Sequence, residues 1–162
     1  KLAAMLRRLL FASMICLAAA VQAQPVPGQT VQPFDTQLLD GRPLPAAALR
    51  GKVVLVVFWA SWCGACQKEL PELQALYDKH RKRGFEILAL SVDADRFTVE
   101  EFWKDNEYDF PVAMRAPAHL QAFGAVKGTP TLYLIDRNGV LRLAHLGRLG
   151  AAQLDARLRP LL

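Results

Sequence analysis

Two apolar runs, one helix length apart, constrain this chain more than any other feature. Val53 to Phe58 is a continuous β-branched and apolar stretch, as expected of a strand covered on both faces. Residues 64–82 then place Leu70, Leu73, Leu76 and Tyr77 on one helical face, and Gly84 stops the pattern. Phe85 to Val92 is a second apolar run. Residues 53–92 therefore read as a strand, a crossover helix and a second, parallel strand.

The rest of the chain supplies elements to complete such a sheet. Asp40-Gly41, between short extended pieces in Phe34 to Leu44, predicts a hairpin or turn. Thr98 to Asn106 reads as a helix, followed by a short strand near Pro111–Met114 and a short helix at 118–123. Thr131 to Ile135 and Val140 to His145 flank Asp136-Arg137-Asn138-Gly139, which predicts an antiparallel hairpin. A last helix over 151–159 is expected to end at Pro160. The sequence has no internal repeat, no low-complexity block and no Gly-rich phosphate loop. The expected architecture is one three-layer α/β domain.

The first residues have a different character. Lys1, Arg7 and Arg8 precede an apolar stretch, Leu9 to Val21, broken only by Ser13, and Val21-Gln22-Ala23 offers small residues for cleavage. This layout predicts a signal peptide over 1–23, cut near Ala23, and hence a periplasmic or otherwise exported protein. Arg7-Arg8 lacks most neighbours of a twin-arginine signal. Cys16 follows the bulky Ile15 rather than a small residue, so it is expected to leave with the signal. Residues 24–33, rich in Pro and Gln, read as a linker, with the domain over 34–162. The chain carries 20 Lys and Arg against 15 acids. Three of those bases and none of the acids lie in residues 1–23, so the remainder is nearly balanced at 17 against 15. No aromatic-interleaved basic stripe points to nucleic acid.

The chemistry centres on Cys63 and Cys66 in "FWASWCGACQKELP". A structural zinc site wants four ligands, commonly two close pairs, and only the scattered His80, His119 and His145 are available. A structural disulfide over so short a loop would add little, because the entropic gain grows with loop length. Position favours redox chemistry instead. The strand delivers Cys63 to a helix start, where unpaired N–H groups and the helix dipole favour a thiolate. Cys66, three residues on, is placed to attack a mixed disulfide and release the product. Trp59 and Trp62 would cover the pair and form part of an apolar docking surface.

"FWASWCGAC", Pro71 in the following helix, and Gly128-Thr129-Pro130 before "TLYLIDRNG" together resemble thioredoxin-fold proteins from about Phe34 to Leu158. The export signal, "GKVVLVVFWASWC", Glu69 and the segment 93–114 are similar to the TlpA/ResA-like group of exported thiol-disulfide oxidoreductases. The resemblance implies a thioredoxin-like three-layer fold with a mixed central sheet flanked by helices, an N-terminal extension and an insertion around 93–114. It implies a cis Pro130 facing Cys63, with Thr129 offering backbone groups to an extended substrate. It also places Glu69 near the cysteines as a proton acceptor for Cys66, against the alternative of an ordinary exposed helix glutamate. Three positions depart from familiar patterns. Val57 stands where cytoplasmic thioredoxins bury an acid, Gly64-Ala65 replaces a pair containing proline, and Thr131 stands where cytochrome-c-maturation members often carry an acid.

The expected function is a periplasmic disulfide reductase with catalytic Cys63, Cys66 and Glu69 and substrate-binding Trp62, Thr129 and Pro130. No cofactor and no metal ligand is expected. Partners would be thiol- or disulfide-containing exported proteins, apocytochrome c among the candidates, and a membrane thiol-electron donor; a monomer is expected. Net oxidation of thiols by the same cysteines is the alternative, since a potential difference of about 30 mV is worth 1.4 kcal/mol for a two-electron couple. A peroxidase would want a Thr/Pro-rich approach that "WCGAC" lacks. A copper-binding module would need a histidine near Pro130, and "GAVKGTPT" has none. His119 and His145 read as surface or loop residues.

Overall fold

The structure is a computed structural model that describes residues 24–162. The expected signal peptide over 1–23, with Cys16, lies outside the described residues. The elements are β1 (Thr36–Gln37), β2 (Pro43–Leu44), β3 (Val53–Trp59), α1 (Gly64–His80), β4 (Phe85–Ser91), α2 (Arg96–Asp105), β5 (Val112–Met114), α3 (Pro117–Phe123), β6 (Thr131–Ile135), β7 (Leu141–Leu146) and α4 (Ala151–Leu158). A 3-10 turn over Arg159–Leu161 follows α4 and contains Pro160. The proline thus ends the α-helical bonding without ending the helical path, because at the first turn its missing N–H costs nothing.

The main sheet has the order β5-β4-β3-β6-β7. β3 is central, parallel to β4 and antiparallel to β6, and all seven of its residues are buried. This is why its sequence is continuously apolar rather than alternating. The alternation is spatial instead. Val53, Leu55, Val57 and Trp59 pack on one side with Leu70, Leu73 and Leu76 of α1, Val99 and Trp103 of α2, and Leu154 and Leu158 of α4. Val54, Val56 and Phe58 face the other way, onto Phe34, Tyr133 and Phe123 of α3. Three layers result, and the sheet is mixed, as expected.

Local signals explain the boundaries. The Asp136 carboxylate accepts from Asn138 N–H (2.9 Å) and Val140 N–H (3.0 Å), and Gly139 takes a φ of 79°, which closes the β6–β7 hairpin. Gly84, with φ 82°, terminates the helical path after α1. α2 begins earlier than the expected Thr98. Asp95 is its cap, accepting from Phe97 N–H at 3.3 Å and Thr98 N–H at 2.9 Å.

Residues 24–33 are corrected from linker to part of the fold. Thr30 bridges Val140, Gly28 N–H donates to Leu141 O at 2.8 Å, and Val31 is buried. Further on, Leu38 bridges Ala113, and Leu39 N–H donates to Val112 O at 3.0 Å. The segment thus crosses one face from edge strand β7 to edge strand β5 and covers part of both edges, which would otherwise leave backbone groups unpaired.

His119 is also corrected, from a surface or loop residue to a core residue with 1% exposure. Its Nδ1 accepts from Ala116 N–H at 2.9 Å, so Nε2 carries the proton and donates to Thr36 Oγ1, also at 2.9 Å. Burial lowers its pKa from 6.5 to about 4. A proton NMR titration should find His119 neutral down to about pH 4. A midpoint near the ordinary 6.5 would contradict the buried neutral ring. His145 lies half-buried on β7.

Candidate active site

β3 ends at Trp59, and a short turn carries the chain to Cys63 at the start of α1. That turn is anchored by an acid that sequence reasoning missed. Asp93 accepts from Ser61 N–H (3.0 Å), Ser61 Oγ–H (2.7 Å) and Ser91 Oγ–H (2.6 Å). Gln67 Nε2 donates to Ser61 O at 2.6 Å. The parallel register of β3 with β4 makes this possible, because both strands end on the same side of the sheet. The available signal was an acid just beyond the strand parallel to the cysteine-bearing one.

Cys63 and Cys66 form a disulfide, with Cα atoms 5.2 Å apart. Cys63 is the N-cap of the 17-residue α1, and its Sγ accepts from Cys66 N–H at 3.2 Å. In the reduced protein the same N–H and the positive helix end would stabilise a Cys63 thiolate. Exposure distinguishes the two sulfurs' residues: 7% for Cys63 and 1% for Cys66. Cys63 is thus the less deeply buried of the two.

The Thr129–Pro130 peptide bond is cis. Thr129 O lies 3.5 Å from Cys63 Sγ, so the loop expected to face the cysteines does so. Thr131 Oγ1 donates to Gly128 O at 2.7 Å and closes this loop, while Pro130 O accepts from Gly147 N–H at 2.8 Å. Trp62 is 70% exposed beside the disulfide. Leu146, paired with Thr131 across β6 and β7, is likewise exposed. Two hollows, of about 600 and 390 Å³, are lined by none of these residues. Cys63 sits just beneath the surface beside the exposed Trp62, and Cys66 is sealed.

Glu69 is buried, not an exposed helix acid, at 1% exposure one turn along α1 from Cys66. Its Oε1 accepts from Leu149 N–H at 2.8 Å, and Oε2 has no partner. Burial raises its pKa from 4.5 to about 7, and Glu72 pushes the same way, against the Leu149 N–H and Arg148. Val57, also buried, offers no carboxylate from β3. Among the described residues no group of three or more His, Cys, Asp or Glu could hold a metal, and no helix is long and apolar enough to cross a membrane.

A thioredoxin-like sheet that presents two cysteines at a helix start, opposite a cis-proline loop, defines a thiol-disulfide oxidoreductase. The chain belongs to the Redoxin family, whose model matches residues 26–157. It is 33% identical over 132 residues to the thiol-disulfide oxidoreductase ResA of Bacillus cereus, covering 82% of this chain and 76% of that protein. Among solved structures, it resembles a thiol:disulfide interchange protein of the thioredoxin family from Chlorobium tepidum TLS. The TM-score is 0.78 at 28% identity, covering 86% of this chain and 99% of that one. StoA from Bacillus subtilis matches with a TM-score of 0.68 at 25% identity, over 82% and 99% of the two chains.

Proposed function

We propose that this oxidoreductase is exported and works as a reductase of protein disulfides. The observation that carries the reading is Cys63 Sγ, capping α1 and lying 3.5 Å from the Thr129 carbonyl. The reduced Cys63 thiolate attacks a substrate disulfide, forming a mixed disulfide and expelling the other substrate sulfur as a thiolate, which takes up a proton. Cys66 then gives its proton to Glu69 Oε2 and attacks Cys63 Sγ. The Cys63–Cys66 disulfide forms and the second substrate sulfur leaves, so the substrate gains two electrons and the protein loses two. A buried carboxyl with a pKa near neutrality is suited to take that proton.

An extended substrate segment would lie along Thr129-Pro130 as a local added strand, with Trp62 beneath its apolar side chains. Substrates of this kind are unfolded exported proteins carrying a reactive cystine, apocytochrome c included. An oxidising compartment demands a donor that restores the dithiol, and a membrane thiol-electron carrier supplies that chemistry. The apolar stretch at 9–21 supports export.

Turnover of an oxidised polypeptide, compared with a small aromatic disulfide, tests the docking. Trp62→Ala should slow the polypeptide reaction about tenfold, the scale of a lost aromatic contact. The small reagent should react within about twofold of wild type, and stability should change by less than ~0.5 kcal/mol because the ring is exposed. Equal slowing of both reactions would remove Trp62 from substrate recognition.

A further inference from the structure

The loop between β7 and α4, residues 147–150, reaches the site at three points. Gly147 N–H donates to Pro130 O, Leu149 N–H donates to Glu69 Oε1, and Arg148 pairs with Glu72. The same Glu72 carboxylate accepts from Ala151 N–H at 3.1 Å. That bond has a local cause. α4 starts from Gly150, which has no side chain with which to cap it, so α1 supplies the missing acceptor from Glu72. Glu69 and Glu72 are three residues apart on α1 and share a face, so two successive carboxylates grip one loop.

Their surroundings differ. The Glu72 side chain is one-third exposed and meets a guanidinium, whereas Glu69 is sealed and meets a backbone N–H. The Leu149 side chain is packed in the core at 5% exposure, and its N–H goes where the loop goes. The loop's one charged side chain is Arg148, and that charge is tied to α1 through Glu72. We propose that Arg148, held by Glu72, is a positioning residue for thiol exchange: the pair fixes the loop so that Leu149 N–H stays on Glu69 Oε1 and Oε2 stays free to take the proton of Cys66. This rests on the reading of Glu69 as that proton acceptor.

The groups facing Glu69 set the direction of the effect. Arg148 and the Leu149 N–H favour its carboxylate, while Glu72 and burial oppose it. Losing Arg148 removes one favourable charge and loosens the other favourable contact, so both changes raise the pKa of Glu69.

The test follows the Glu69 carboxyl by carbon NMR in the oxidised full chain, and the pH–rate profile of the reduced chain with a small disulfide. Arg148→Met should raise the Glu69 midpoint by about 0.5 pH unit or more and move the rate profile in the same direction. Arg148→Lys should recover at least half of the shift, because charge and pairing with Glu72 return. Glu69→Gln alone should remove that ionisation from the rate profile, and adding Arg148→Met to it should change the profile no further. A midpoint unmoved by Arg148→Met, while Glu69→Gln still removes the limb, would overturn the role of Arg148 and leave the reading of Glu69 standing. A shift that persists in the double variant would also overturn it, since another group would then be responding. A rate profile unchanged by Glu69→Gln would overturn the underlying reading and this inference together.

Discussion

Cys63→Ser should abolish disulfide exchange, whereas Cys66→Ser should keep the first attack and accumulate a mixed disulfide with substrate. The asymmetry follows from the cap. Cys63 is the less deeply buried of the two, its Sγ accepts from Cys66 N–H at 3.2 Å, and it sits at the positive end of α1. Cys66 is sealed at 1% exposure, so it meets a substrate only after Cys63 has brought one in. Without Cys63, the remaining thiol has neither access nor the helix-end stabilisation that populates a thiolate. Without Cys66, the mixed disulfide has no internal resolver and persists. Non-reducing electrophoresis and intact mass read both results. Equal trapping by the two variants would contradict the roles given to the two sulfurs.

Glu69→Gln should have two large effects of different kind. The first is kinetic: exchange should slow on the order of 10²-fold near neutral pH, the scale of a lost positioned proton acceptor. The second concerns stability. Glu69 has a folded pKa of about 7 against an ordinary 4.5, so the native state binds more protons than the unfolded state between those values. Stability present below the lower value is therefore lost as pH rises through the folded value, by as much as ~3 kcal/mol. His119 has the opposite sign. Its folded pKa of about 4 lies below the ordinary 6.5, so its contribution is complete above the higher value and is lost as pH falls toward the lower.

The two slopes oppose each other over nearly the same range, and the wild-type stability should be nearly flat from about pH 4.5 to 6.5. Glu69→Gln leaves only the His119 slope. The variant should match wild type near pH 4.5, exceed it by ~2–3 kcal/mol at pH 8, and lose stability steadily on acidification. Denaturant unfolding at several pH values checks this. A variant that tracks wild type at every pH would return Glu69 to the class of solvated helix acids.

The centre of the main sheet was legible because β3 and β4 are buried on both faces. Val53 to Phe58 and Phe85 to Val92 differ from the observed strands by one residue each, at their ends. The redox pair and the loop facing it were legible from Cys63, Cys66 and Pro130, where the chemistry restricts residue type and spacing. The contacts that escaped all join distant segments or use backbone groups. Asp93 reaches Ser61 across 32 residues, and His119 reaches Thr36 across 83. Neither pair has a local period to betray it. Residues 24–33 pair with β7 through amides, which any side chain permits, so a Pro- and Gln-rich composition hid an ordered segment. Glu69 was placed near the cysteines by resemblance, but its buried partner is the Leu149 N–H, a backbone group with no signature in sequence.

The reduction potential of the Cys63–Cys66 couple, measured in glutathione or dithiothreitol buffers alongside the thiol state trapped in cells, tests the reductase reading most directly. The account predicts a couple on the reducing side, toward the about −270 mV of thioredoxin, and a trapped pool held mainly as the Cys63, Cys66 dithiol. A couple near −120 mV, the value of a strong oxidant, with the pool trapped as disulfide, would contradict the reading and assign the same cysteines to thiol oxidation.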